Sequence, residues 1–129
     1  MDDLKLGRRN LDGAQATHHL HINAVVFRAL SLALHKLSVR ELEICSPRRL
    51  VTFVLEHPEN PIFHLAVNEL NRICRQDDLV GTVRINLRLD SRVNDRLREF
   101  REHAALLLGR PVSVAEAINA CIYVMNREV

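Results

Sequence analysis

The sequence predicts a mainly α-helical protein in two parts. Residues 1–81 form an N-terminal helical module, and residues 82–129 form a C-terminal unit of one strand and two helices that dimerises through an intermolecular antiparallel β-ribbon. Three observations lead there. The 129 residues include only four Gly and four Pro, too few breaks for an all-β sandwich, while 47% hydrophobic and 26% charged residues are ordinary for a globular chain. Thr82 to Asp90 alternates apolar and polar residues without error, the period of a strand with one buried face. Two amphipathic stripes with their own start and stop signals follow that strand. Charge also shifts near Gly81: residues 1–81 hold ten Lys/Arg and ten Asp/Glu, whereas 82–129 hold eight Arg, no Lys and six Asp/Glu.

In the first part, apolar residues run from Ala14 to Leu37. Leu20, Ile22, Val25, Val26, Phe27, Leu30, Leu32 and Leu34 occupy most of a helical wheel, which predicts a helix buried on several sides or used in self-association. Ser38 with Glu41 has capping-box spacing and predicts a new helix from Val39. Ser46-Pro47 repeats the start signal, with Pro acceptable in the first turn. Between Val39 and Glu56, β-branched residues leave helix and strand both open. His57-Pro58-Glu59-Asn60-Pro61 is a turn, a helix runs on to about Gln76, and Asp77 to Gly81 reads as a linker.

In the second part, Val83, Ile85, Leu87 and Leu89 point one way, and Arg84, Asn86 and Arg88 the other. Asp90 or Ser91 caps a helix whose stripe is Val93, Leu97, Phe100, Ala104 and Leu107; Gly109 and Pro111 end it. Ser113 with Glu116 opens a second helix that buries Val114, Ala117, Ile118, Cys121, Ile122 and Met125. A lone strand cannot satisfy its own backbone, and no second strand of equal quality is apparent. The same strand from another copy is the expected partner, with Ile85, Leu87 and Leu89 in a shared dimer core. The ribbon's outer face would then show Arg84, Asn86 and Arg88 twice. Arg suits guanine O6 and N7, and Asn suits adenine N6 and N7, in a major groove wide enough for a two-stranded ribbon.

The segment Arg84-Ile85-Asn86-Leu87-Arg88, followed by a helix, Gly109-Arg110-Pro111-Val112-Ser113 and a second helix, resembles the ribbon-helix-helix DNA-binding family of the Arc and MetJ repressors. The resemblance covers residues 82–129. It implies that Arg84, Asn86 and Arg88 read bases, and that Val112, Ser113, Val114 and Ala115 contact a phosphate. A helix N-terminus favours that second role independently, through unpaired N–H groups and its dipole. The function implied is that of a sequence-specific, double-stranded DNA-binding regulator, a repressor. Alternatives within DNA binding are a plasmid partition or relaxosome accessory factor, or an antitoxin. In a different class stands a helical adaptor that binds protein only. Residues 1–81 are expected to mediate self-association or to bind a protein partner.

Other classes are disfavoured. A net charge of +2 alone argues against a strongly basic binder, yet six Arg between Arg84 and Arg101 face only Asp90, Asp95 and Glu99. With no Trp and 4% aromatics, single-strand binding on stacked rings is not expected. Thr17-His18-His19-Leu20-His21 lacks companion ligands at metal spacing, so neither metal nor cofactor is expected. Ser46-Pro47-Arg48-Arg49 offers a rival helix-turn-helix reader, against which a charged helix start is preferred. No phosphate loop, nucleophile elbow or zinc-hydrolase motif points to an enzyme. Cys45, Cys74 and Cys121 read as reduced, buried thiols. No apolar run of membrane-spanning length is present, and Met1 to Asn10 fits neither a signal peptide nor a lipidation signal; the expected compartment is the cytoplasm.

Overall fold

Asn23 and Asp90 organise the fold, because each closes a strand and opens a long helix. The computed structural model describes residues 15–127; the segment Met1 to Asn10, considered above for targeting signals, lies outside the described residues. Strand β1 (Ala16–Ile22) leads into α1 (Ala24–Glu41), and strand β2 (Val83–Leu89) leads into α4 (Ser91–Leu108). The Asn23 side chain accepts from the Val26 N–H at 2.9 Å, and Asp90 accepts from the Val93 N–H at 3.0 Å. Such caps satisfy donors that a helix start leaves unpaired. Between them lie α2 (Pro47–Leu55), a 3-10 turn (Pro61–His64), α3 (Val67–Ile73) and a second 3-10 turn (Gln76–Asp78); α5 (Val114–Arg127) closes the described chain.

The expected architecture is corrected here. β2 does not pair with a second copy: it pairs antiparallel with β1 of its own chain, in the register Ala16↔Leu89, His19↔Asn86 and Ile22↔Val83. The N-terminal part is therefore not an all-helical module, and the C-terminal strand and helices are not a separate ribbon-forming unit. The physical reason is that residues 16–22 alternate too. Leu20 and Ile22 face inward while Thr17, His19 and His21 face out, so β1 meets the pairing requirement at high local concentration. The reading of 14–37 as one helix fails for the same reason: Ala16–Ile22 is strand. Only Val26, Leu30, Ala33 and Leu37 of α1 are buried, whereas Val25, Leu32 and Val39 stand exposed. Ser38 does not start a helix; its hydroxyl accepts from the Cys45 N–H at 2.9 Å, shaping the turn after α1.

The chain repeats itself. An offset of 67 residues, the separation of the paired His19 and Asn86, carries β1–α1–α2 onto β2–α4–α5. It superposes the caps Asn23 and Asp90, the left-handed helix ends Leu42 (φ 59°) and Gly109 (φ 72°), and the second caps Ser46 and Ser113. Packing repeats as well: α1 lies on α5 as α4 lies on α2, and β2 touches α2 as β1 touches α5. Leu20 and Ile22 of one strand and Leu87 and Leu89 of the other enter one core with Leu30, Leu50, Leu97, Phe100 and Ile122, drawn from both sides of residue 81. Leu87 and Leu89 thus belong to the interior of a single chain, with Ile85 half-buried against it, and not to a core shared with a second copy. The stretch Asp77 to Gly81 is also more than a linker. The Asn23 N–H donates to Leu79 O at 2.8 Å, the Gly81 N–H donates to His21 O at 3.2 Å, and Ile22 bridges Val80.

Candidate nucleic-acid interface

Because side chains alternate across a strand, the outer face of the ribbon carries Thr17, His19 and His21 beside Arg84, Asn86 and Arg88, all six exposed. Register sets them in three rungs, Thr17 opposite Arg88, His19 opposite Asn86 and His21 opposite Arg84. Four residues of strand separate the outer rungs, about 13 Å, close to the rise of four stacked base pairs. Neither strand contains an Asp or Glu, so the face combines cations, imidazoles, a hydroxyl and an amide with no carboxylate. On the middle rung His19 Nδ1 lies 2.7 Å from Asn86 Oδ1. On the first, Arg88 Nε donates to Gln15 Oε1. Arg84 has neither hydrogen-bond nor ion-pair partner among the described residues.

The ribbon is supported from beneath. Leu20, Ile22, Ile85 and Leu87 close over Val26 and Leu30 of α1, Pro47 and Val51 of α2, and Ala115, Ile118 and Ile122 of α5. The starts of the two second helices therefore flank it. At one flank His19, His21, Ser113, Val114 and Ala115 line a common groove. At the other, Asp90 lines a groove with Glu43, Ser46, Arg48 and Arg49.

The four residues expected at a phosphate divide. Val112 is buried and its carbonyl accepts from Arg101 Nε at 2.8 Å, so it faces the protein. The Ser113 N–H donates to Glu116 Oε1 at 2.7 Å, and its hydroxyl donates to Gln76 Oε1 at 2.6 Å. Val114 and Ala115 follow, and their N–H groups have no internal partner among the described residues. Glu116 is a fully buried carboxylate, held by the Ser113 and Gln76 N–H groups and by Arg110 at 3.1 Å. Arg110 also donates to Cys74 O, tying the end of α3 to the start of α5. At the start of α2, Ser46 accepts from the Arg49 N–H at 3.2 Å. The Arg49 side chain is held by Glu41 and Glu43 at 2.5 and 2.7 Å, whereas Arg48 is exposed and has no carboxylate partner among the described residues.

The remaining candidates sit apart from this face. No group of three or more His, Cys, Asp or Glu able to hold a metal occurs among the described residues, and His18 spends its Nε2 on Asn94 Oδ1 at 2.8 Å. The three cysteines are free and buried, and burial pushes the Cys74 thiol up to about 11 and the Cys121 thiol up to about 12. Among the described residues no helix is long and apolar enough to cross a membrane. Comparison with protein-family models, curated proteins and solved structures found no match.

Sequence reasoning missed Thr17, His19 and His21. The available signal was Leu20-His21-Ile22 running into Asn23, an alternation that ends on a helix cap just as Leu87-Arg88-Leu89 ends on Asp90.

Proposed function

We propose that the protein is a cytoplasmic, sequence-specific double-stranded DNA-binding regulator that lays its two-stranded ribbon in the major groove. The observation that carries the reading is the acid-free ribbon face, where Arg84, Asn86 and Arg88 stand exposed on a strand packed over helices. Arg84 and Arg88 supply bidentate donors for guanine, and Asn86 supplies a donor and an acceptor for adenine. The open N–H groups of Val114 and Ala115 at one flank, and Arg48 at the other, suit phosphates on either side of the groove. Occupying a promoter in this way represses transcription; occupying a plasmid partition or transfer site is the same chemistry put to another use. The exposed row Val25, Leu32 and Val39 on α1 is the surface we assign to the protein contact expected of the N-terminal part.

Titration of the protein against a duplex selected from random sequence, at two salt concentrations, tests this reading. Arg84→Ala, Asn86→Ala and Arg88→Ala should each leave the fold intact and weaken specific binding by about 1–3 kcal/mol. If all three variants bind the selected duplex as the parent does, ribbon readout is wrong. If no duplex is preferred over random DNA, the adaptor reading takes its place.

A further inference from the structure

We propose that one chain alone reads a DNA site with unlike halves, and that Thr17, His19 and His21 are its second set of base-contacting residues. The inference rests on the DNA-binding reading above and goes beyond it in stating the form of the site.

Dimeric readers of this kind meet pseudo-palindromic sites because a twofold axis sets identical side chains on both halves. Here the axis is only approximate. It passes through the His19–Asn86 rung and exchanges Thr17 with Arg84 and His21 with Arg88, so it relates positions while the chemistry differs. One end of the ribbon offers Thr17 and Arg88, and the other offers His21 and Arg84. Threonine brings a methyl group for the thymine C5-methyl and one hydroxyl, whereas an imidazole brings two ring nitrogens at fixed angles and no methyl. A site that satisfies one end does not satisfy the other.

The flanks differ in the same sense. The groove beside His19 and His21 is completed by Ser113, Val114 and Ala115, which carry no charge, with the Glu116 carboxylate buried behind them. The opposite groove, beside Asp90, is completed by Glu43 and by Ser46, Arg48 and Arg49 at the start of α2, where Arg48 has no carboxylate partner among the described residues. The two halves therefore differ in what they offer a phosphate, backbone N–H groups on the α5 side and arginines among carboxylates on the α2 side, as well as in base contact. At the centre the two strands meet through His19 Nδ1 and Asn86 Oδ1, 2.7 Å apart. That contact fixes which way the Asn86 amide faces, so His19 is also a positioning residue for Asn86.

Both strands come from one polypeptide, so the complete reading surface is present in a monomer. The expected complex is one chain per duplex, on a sequence with no dyad.

Selection of duplexes from a randomised pool by the full-length protein, followed by native mass spectrometry of the complex, tests this. The expected result is a non-palindromic consensus bound by one chain. Base preferences measured for single variants should then fall into two groups. Thr17→Ala and Arg88→Ala should relax the same half of the consensus, and His21→Ala and Arg84→Ala the other half. Each β1 substitution should weaken binding about fivefold, as expected for the loss of one or two hydrogen bonds. A palindromic consensus bound by two chains overturns the inference. So does a Thr17→Ala/His19→Ala/His21→Ala variant that keeps the parent's preference at every position while Arg84→Ala and Arg88→Ala change it, although that outcome leaves DNA binding standing. If the arginine variants are neutral too, both readings fall together. The six side chains are exposed, so an unchanged thermal melt for each variant separates lost readout from lost fold.

Discussion

Leu87→Ala combined with dilution separates a ribbon closed within one chain from a ribbon shared between chains. Leu87 is 1% exposed and packs beneath the ribbon with Leu20, Ile85, Val51 and Ile122. Truncating a buried leucine to alanine costs about 2–5 kcal/mol, the larger values belonging to sites whose walls do not collapse. The walls here come from both strands and from α1, α2 and α5, each anchored elsewhere, so the loss should lie in the upper half of that range. The same loss should appear at every protein concentration, because folding is unimolecular. A ribbon formed between two chains behaves otherwise, since a hundredfold dilution removes about 2.7 kcal/mol of apparent stability by mass action. With an unfolding entropy of about 2.1 cal/mol/K per residue over the two chains that would unfold together, that corresponds to a fall of roughly 5 °C in the melting midpoint. Scanning calorimetry and circular dichroism melts at micromolar and hundredfold higher concentration, for parent and variant, make the comparison. A parent midpoint that moves by about 5 °C between the two concentrations would refute the intrachain pairing from which the whole reading surface is built.

Three more predictions follow from the same contacts. Leu42 ends α1 in the left-handed conformation while 89% exposed, so Leu42→Gly should stabilise the protein by about 1 kcal/mol in urea unfolding; Gly109→Ala, at the repeat-related position with open space around the new Cβ, should destabilise it by a similar amount. A Cβ at Gly81 would lie 2.3 Å from Asn23 Cα and 2.6 Å from Ile22 O, so Gly81→Ala must part the β1–α1 junction, and about 3 kcal/mol or more should be lost by the same assay. Burial holds the Cys121 thiol neutral to about pH 12 in the folded protein, against 9.0 for the free group. Its contribution is therefore complete below pH 9 and shrinks as pH rises toward 12, by about 1.4 kcal/mol per pH unit. Urea midpoints between pH 8 and 11 should fall with a slope that Cys121→Ala reduces, and an identical slope in that variant would contradict the assignment.

How much of this was legible in the sequence depended on which signals competed. The alternation of 82–90, the Asp90 cap, the stripe Val93, Leu97, Phe100 and Ala104 and the Ser113–Glu116 box all act locally, and the structure has a strand and two helices there. β1 was hidden because Ala16 and His18 occupy its inward positions, which weakens the alternation. The exposed Val25, Phe27 and Leu32 of the following helix then filled in a false all-round apolar wheel. The repeat was hidden by divergence. Across the offset only Leu20/Leu87, Val26/Val93, Leu30/Leu97 and Ser46/Ser113 are identical, and the stop signal provided by Gly109 is a leucine at position 42. Cap spacing survived: Asn23 stands as far before Ser46 as Asp90 does before Ser113. At the candidate interface, Arg84, Asn86 and Arg88 are legible because their strand is, and Thr17, His19 and His21 are not because the apolar wheel around them predicts helix.

The two halves are alike in path and unlike in what covers them. On α4, Arg96 and Phe100 meet the connector after α2: Arg96 donates to Leu55 O and Asn60 Oδ1 at 3.2 and 2.7 Å, and Phe100 takes the edge of Phe63 at 5.8 Å between centroids. The repeat-related positions on α1 are Ala29 and Ala33, and there the last turn of α5 comes close. Asn126 donates to Ala29 O at 3.0 Å while its own carbonyl accepts from Lys36 at 2.6 Å. Bulk on α4 receives a loop, and small residues on α1 admit a helix end. Two copies of either half would set each first helix against the wrong cover, leaving Phe100 without Phe63 or Ala33 over a void. Such mismatches disfavour pairing of like halves through lost packing alone. Once unlike halves are locked together in this way, no symmetry constrains the outer face of the ribbon. Thr17, His19 and His21 are then free to differ from Arg84, Asn86 and Arg88, which is the condition for reading a site that has no dyad.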